Sequence, residues 1–231
     1  MAARYVPPTD WRQCDLGALL QGTRHRALAA GRSAIKADMR LFVVGDTAIL
    51  KEPTVAIIGA RKVSAAGAER ARTLAAGLAR ARIVVMSGLA QGVDTQAMTA
   101  AIEAGGRTIG VIGTPLNKAY PAANARLQET VYRDHLLVSQ FPAGSVVRPG
   151  NFPRRNKLMS ALSDATAIVE ASDKSGTLHQ ARECVRLGRW LFIAESLMSN
   201  SRLTWPATFK AYERCIAFND PAEIVERVRK S

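Results

Sequence analysis

Negative charge is in short supply: 19 Asp and Glu stand against 32 Lys and Arg, giving a formal net charge of +13. Solubility alone does not require that surplus. The ordinary reading is that an alanine- and arginine-rich chain reflects a GC-rich genome, but the balance favours a polyanionic partner, with nucleic acid first. Cysteine is nearly absent. Cys14, Cys184 and Cys215 are odd in number and far apart, with no Cys-x-x-Cys pair and no histidine at ligand spacing, which argues against a disulfide framework and against a zinc site. No apolar run approaches the ~20 residues that cross a bilayer. The opening "MAARYVPPTDWRQCDLG" has no apolar core of a signal peptide, so a cytoplasmic, bacterial-type protein without membrane association is expected. The chain also has no Gly-x-Gly-x-x-Gly and no Walker A loop after its first core strand, so no dinucleotide or ATP fingerprint is present. No cofactor, no metal and no catalytic residue is expected.

What the sequence does have is alternation. From Thr54 onward, short β-branched runs ("TVAIIG", "IVVMSG", "RTIGVIG", "LLVSQF", "ATAIVEA", "RWLFIA") alternate with alanine-rich segments of helical period. The helices are predicted over Ala65 to Ala81, Asp94 to Ala104, Pro121 to Arg133, Pro153 to Leu162 and Thr177 to Leu187. Runs apolar at every position belong to strands covered on both faces. The fold class is therefore α/β: an extended Rossmann-like, doubly wound, mostly parallel sheet flanked by helices. Residues 1–53 read as a short extension packing on the core, with one helix from Cys14 to Ala30 and one strand in "RLFVVGD". Residues 54–231 form the Rossmann-like domain, closing with a strand "RCIAF" and a helix from Pro221 to Lys230.

In such sheets ligands collect beyond the carboxyl ends of the strands. Four segments fall there. "GARKVSAAG" places Arg61 and Lys62 on the rim, with Ser64 as the expected N-cap and free amides at the helix entry. "SGLAQGVDTQA" places Ser87 and Gly88 at the end of a strand and Asp94 as an expected cap. "NFPRRNKLMS" sets Phe152 among turn-forming residues beside Arg154, Arg155, Asn156 and Lys157, a set suited to stacking a base and neutralising phosphates. "SDKSGTLHQA" opens a helix at Thr177 behind Ser175 and Gly176, where two or three orphan amides should face the same rim. Each has an ordinary reading too: a plain βα turn, a capping carboxylate, a charged helix start with Phe152 packed inward. His179 has no partner at close spacing and reads as a helix residue.

Taken in order, "VAIIGARKVSAAG", "VVMSGLAQGVDTQAM", "RTIGVIGTPLNKAYPAANARLQ", "NFPRRNKLMSALSDATAIVEAS" and "SGTLHQA" resemble the DprA (Smf) family of DNA-processing proteins over about Leu41 to Ala194. The resemblance implies a Rossmann-like domain that binds single-stranded DNA in a basic pocket, forms a homodimer and loads a RecA-type recombinase, with no established turnover. It carries the pocket onto Arg61, Ser87, Gly88, Phe152, Arg154, Arg155, Asn156, Ser175, Gly176 and Thr177. It leaves no room for the winged-helix domain often found in the family. Apolar residues for a dimer surface are expected late in the chain, within "RWLFIAESLM" and "ERCIAF". Met98, Gln140, Lys157, "GTLHQA" and "IAES" depart from the family pattern. The rival readings are a nucleotide phosphoribohydrolase, whose catalytic Glu is missing because Leu178, His179 and Gln180 follow Thr177, and a nucleotide-sensing domain.

Overall fold

The computed structural model describes residues 5–24 and 35–230. In chain order its strands are β1 (Arg12–Asp15), β2 (Arg40–Gly45), β3 (Thr54–Gly59), β4 (Val84–Ser87), β5 (Thr108–Ile112), β6 (Leu136–Ser139), β7 (Ala165–Glu170), β8 (Trp190–Ala194) and β9 (Cys215–Phe218). They make one sheet in the order β1-β2-β6-β5-β4-β3-β7-β8-β9. β1 and β2, and β2 and β6, pair antiparallel; every other neighbour is parallel. The α-helices are α1 (Leu16–Leu19), α2 (Ala65–Arg80), α3 (Val93–Glu103), α4 (Ala125–Asp134), α5 (Asn151–Ala161), α6 (Thr177–Arg186), α7 (Glu195–Met198) and α8 (Pro221–Arg229).

The apolar strands account for the layering. β4, β5 and β6 are buried along their whole length, so neither face tolerates water. From β3 the order runs through β4 and β5 to one side, and from β7 through β8 and β9 to the other. Right-handed crossovers therefore put α2, α3 and α4 on one face and α5 and α6 on the opposite face. α2 packs on α3 and on α8, and α5 packs on α6. Alanine makes the first of these contacts close: Ala71, Ala75 and Ala79 of α2 and Ala97, Ala100 and Ala101 of α3 are all buried. Ser64 caps α2 as expected, its hydroxyl accepting from the Gly67 amide at 3.0 Å.

The β3/β7 boundary is the topological switch point. The two strands run in register from Val55 to Ile58 and then slip, so that Gly59 pairs with Glu170. Chain leaving β3 and chain leaving β7 diverge to opposite faces, and a crevice opens between them.

Two expectations are corrected. The helix expected from Cys14 to Ala30 starts as strand, because residues 12–15 pair with Arg40–Val43 and the Leu16 and Gly17 amides are taken by Met39 and Ala37 carbonyls; among the described residues of that span, only Leu16–Leu19 is helical. Residues 25–30 of that expected helix lie outside the described residues. The helix expected from Pro121 begins as a 3-10 turn, Ala122–Asn124, before α4 proper. Of the two late stretches expected to offer a partner surface, Leu191 to Ala194 are fully buried, while Cys215 to Ala217 sit half-buried on the edge strand β9.

Candidate functional site

The crevice is built by four segments that meet at the carboxyl ends of β3, β4, β5 and β7. Its inner part, a cleft of about 220 Å³, is lined by Arg61, Asp94, Phe152, Arg155, Asn156, Ser175, Gly176 and Thr177. It continues past Arg61, Phe152 and Arg155 into an outer part of about 390 Å³, reached by Gly88, Gly113, Lys118 and Tyr120.

An aromatic and cationic layer forms the wall. α5 begins at Asn151, whose side-chain amide donates to the Gly113 carbonyl at 3.2 Å, and this fixes Phe152 over the end of β5. A Cβ at position 113 would lie 2.9 Å from Phe152 Cδ1, so only glycine lets the ring down onto the backbone. The Arg61 guanidinium lies over that ring, 5.2 Å from its centroid. Tyr120 approaches from the outer side, ring centroids 5.4 Å apart and planes inclined by 38°, with 46% of the residue exposed.

Beneath this layer lies a buried ion pair. Arg155 Nη1 stands 3.7 Å from Asp94 Oδ2 and donates to the Val111 carbonyl at 3.3 Å. A Cβ at Gly88 would coincide with the guanidinium, so the β4 end must be glycine for Arg155 to pass. Asp94 also accepts from the Gly88 and Ala90 amides at 3.1 and 3.3 Å. Burial pushes the Asp94 carboxyl up and lowers the Arg155 guanidinium, and each opposes the shift in the other. Asp94 is thus not the cap of its helix: the N-cap is Gly92, and the carboxylate reaches back into the loop.

Both helix mouths differ from expectation. At α2 the anion is already supplied by the protein: Glu170 accepts from the Ser64 amide at 3.0 Å and from the Ser64 hydroxyl at 2.5 Å. At α6 the amides are partly self-satisfied. Ser175 Oγ accepts from the Thr177 amide at 3.2 Å, and the Leu178 and His179 amides donate to the Ser175 and Gly176 carbonyls. Asn156 Nδ2 reaches the Gly176 carbonyl at 3.5 Å and ties α5 to that loop.

The predicted site residues therefore divide. Arg61, Phe152, Arg155, Asn156, Ser175, Gly176 and Thr177 converge on the inner cleft, and Gly88 borders the outer one. Lys62 and Lys157 are exposed and line neither part. Arg154 turns to the Phe141 ring, 5.4 Å away. Ser87 is buried, donating to the Ile57 carbonyl at 2.7 Å. Sequence reasoning missed Tyr120, Asp94 as a buried counter-ion, and Glu170. An exposed-side tyrosine before Pro121 was the visible signal for the first; the other two roles have no local signature.

Comparison with known proteins follows the same lines. The family model for DNA recombination-mediator protein A matches residues 30–227. The chain is 39% identical over 156 residues to DNA processing protein DprA of Streptococcus pneumoniae, covering 68% of this chain and 55% of the relative. It spans about half the length of the curated relatives it matches. The crystal structure of S. pneumoniae DNA processing protein A superposes with a TM-score of 0.81 at 29% identity, over 94% of this chain and 74% of the other. DNA processing protein A of Helicobacter pylori, a structure described for its single-stranded DNA binding mode, gives 0.77 at 25% identity over 96% of each chain.

Proposed function

The chain belongs to the DNA recombination-mediator protein A family, and from that premise we propose that it binds single-stranded DNA in the crevice at the β3/β7 switch point, without turning it over. The observation that carries this reading is the Arg61–Phe152–Tyr120 layer over the buried Arg155–Asp94 pair. A base has an aromatic surface to stack on, and its phosphate meets Arg61, an exposed cation of the rim, with Lys118 at the outer part. Arg155 acts differently: its charge is spent on Asp94, so it shapes the crevice and orients Phe152 and Asn156 through α5. The helix mouth at Ser175 to Thr177 receives a second phosphate once the Ser175 hydroxyl turns from the Thr177 amide.

Stacking and phosphate neutralisation are indifferent to base identity, so the strand is held with little sequence preference. The protein then works as a homodimer that protects incoming single strands in the cytoplasm and hands them to a RecA-type recombinase during DNA uptake or recombination. Two crevices per particle raise avidity for a long strand. A hydrolase is the weaker reading, because Gln180 occupies the place of the expected acid and the carboxylate in the cleft, Asp94, is engaged by Arg155 and two amides. Incubation with AMP and with oligo(dT) separates the two: length-dependent oligonucleotide binding without ribose phosphate release supports the DNA reading, and ribose phosphate release contradicts it.

A further inference from the structure

Every exposed residue of α5 and α6 is Arg, Lys or His. Arg154 and Lys157 stand out from α5, and His179, Arg182 and Arg186 from α6. The one carboxylate in either helix, Glu183, is buried and accepts from Arg186 Nε at 3.0 Å. Among the described residues, Arg154, Lys157 and Arg182 form no ion pair. The other layer of helices differs. There the exposed charges of α2, α3 and α4 are mixed in sign, Glu69, Glu103 and Asp134 against Arg80, Arg126 and Arg133. A face that served solubility alone would carry both signs, as that layer does.

The basic face begins where the crevice ends. α5 and α6 run side by side in the same direction: Asn156 Nδ2 reaches the Gly176 carbonyl at 3.5 Å and, one turn on, Ser160 Oγ reaches the Gln180 carbonyl at 3.4 Å. Asn156, Gly176 and Thr177 line the inner part of the crevice. Lys157 follows the first of them in the chain, and Lys174 lies exposed two residues before Gly176. Beyond Thr177, His179 and Arg182 continue along α6 within one turn of each other, about 4.5 Å apart along its axis. The carboxylate beside Lys174, Asp173, is taken by the Thr204 and Trp205 amides, both at 2.9 Å, which turns it toward the segment before β9.

We propose that the outer face of α5 and α6 is a track for the sugar-phosphate backbone of the strand that leaves the crevice, an inference that rests on the single-strand reading of that crevice. Lys157, Lys174 and Arg182 neutralise phosphates there without touching a base. The track therefore reads no sequence and adds affinity only for strands long enough to reach it. An acidic protein would match the sign of the face equally well, but a polymer seated in the crevice also accounts for the place where the basic residues start.

The test uses the full chain and fluorescence anisotropy with oligo(dT) of about 4 and about 16 nucleotides, the span of single-strand site sizes. One variant combines Lys157→Ala, Lys174→Ala and Arg182→Ala. A second combines Arg80→Ala, Arg126→Ala and Arg133→Ala, and so removes the same charge from the opposite layer. All six side chains are exposed, so both variants keep the fold, as circular dichroism checks. The first variant should bind the short strand as the wild type does and the long strand severalfold more weakly, with a flatter slope of log K against log salt. The second should stay close to the wild type on both. Unchanged long-strand affinity in the first variant overturns the track. So does an equal loss in the two variants, which would be the work of net charge, or a loss as large on the short strand, which would place these cations in the crevice. In each of those outcomes the wild type still binds. Failure of the crevice reading shows separately, as binding of neither length by the wild type, and takes the track with it.

Discussion

Asp94 and Arg155 face each other at 3.7 Å beneath the floor of the crevice, each only 5% exposed. They lie 61 positions apart in the chain, and the pair joins the first turn of α3 to α5, the helix that carries Phe152. Removing one partner leaves a buried charge uncompensated, a loss of about 3–5 kcal/mol. Arg155→Ala and Asp94→Ala should therefore lower the melting temperature by about ten degrees. Calorimetry checks this, and a wild-type melting temperature in either variant would mean that the pair is not buried in solution.

Arg61 and Phe152 should separate by their salt dependence. Arg61→Ala removes an exposed cation, so affinity for oligo(dT) falls and the slope of log K against log salt flattens by about 0.7, the contribution of one phosphate. Phe152→Ala should weaken binding by about 1–3 kcal/mol with the slope kept. Because Phe152 rests on Gly113, the alanine variant also loses some stability, and Phe152→Tyr, which preserves the ring, should restore most of the affinity. Lys62→Ala and Lys157→Ala, outside the crevice, should change affinity much less than Arg61→Ala. Fluorescence anisotropy at several salt concentrations reads all five.

Much of this arrangement was legible beforehand, and the exceptions share a cause. The strands β3 to β9 announce themselves as apolar runs, and Ser64 and Pro221 mark helix starts that the structure keeps. The four crevice segments were recognisable because each follows a strand at the same edge of a parallel sheet. What stayed hidden depends on partners distant in sequence. Glu170 fills the α2 mouth from 106 residues away, which turned an expected anion site into an internal cap. Asp94 stands where a capping residue belongs, and only the approach of Arg155 through the gap at Gly88 reveals it as a counter-ion. Arg154, Arg155 and Lys157 look alike in the sequence, yet helical rotation sends one inward and two out. Cys14 lies in a segment whose helical period was outweighed by antiparallel pairing with β2.

His135 gives the fold a measurable acid sensitivity. Burial holds its imidazole below the ordinary 6.5, with Arg107 adding to the effect and Asp134 opposing it, and Nδ1 is buried without a hydrogen-bond partner. The unfolded chain takes up the proton first as pH falls. This contribution is therefore fully present above 6.5 and is lost as pH falls through that value toward the lower folded one. The melting temperature of His135→Gln should fall less between pH 7 and 5 than that of the wild type. Parallel curves for the two proteins would contradict the assignment.

Cys184 should be chemically silent. Burial pushes its thiol up to about 12, so almost no thiolate exists near neutrality. Alkylation by iodoacetamide at pH 8 should leave Cys184 unmodified in the native protein and modify it in urea, as peptide mass mapping would show; rapid native labelling would place it at the surface.

The most direct measurement for the account as a whole is a titration of the full chain with single-stranded and duplex DNA of equal length across a range of salt concentrations. Single-strand binding should be the tighter at every salt and should weaken with a slope near −0.7 per phosphate neutralised, because an exposed base is needed to reach Phe152 and Tyr120. Duplex binding as tight as single-strand binding, or an affinity indifferent to salt, would contradict the claim that the Arg61–Phe152–Tyr120 crevice is a single-strand site.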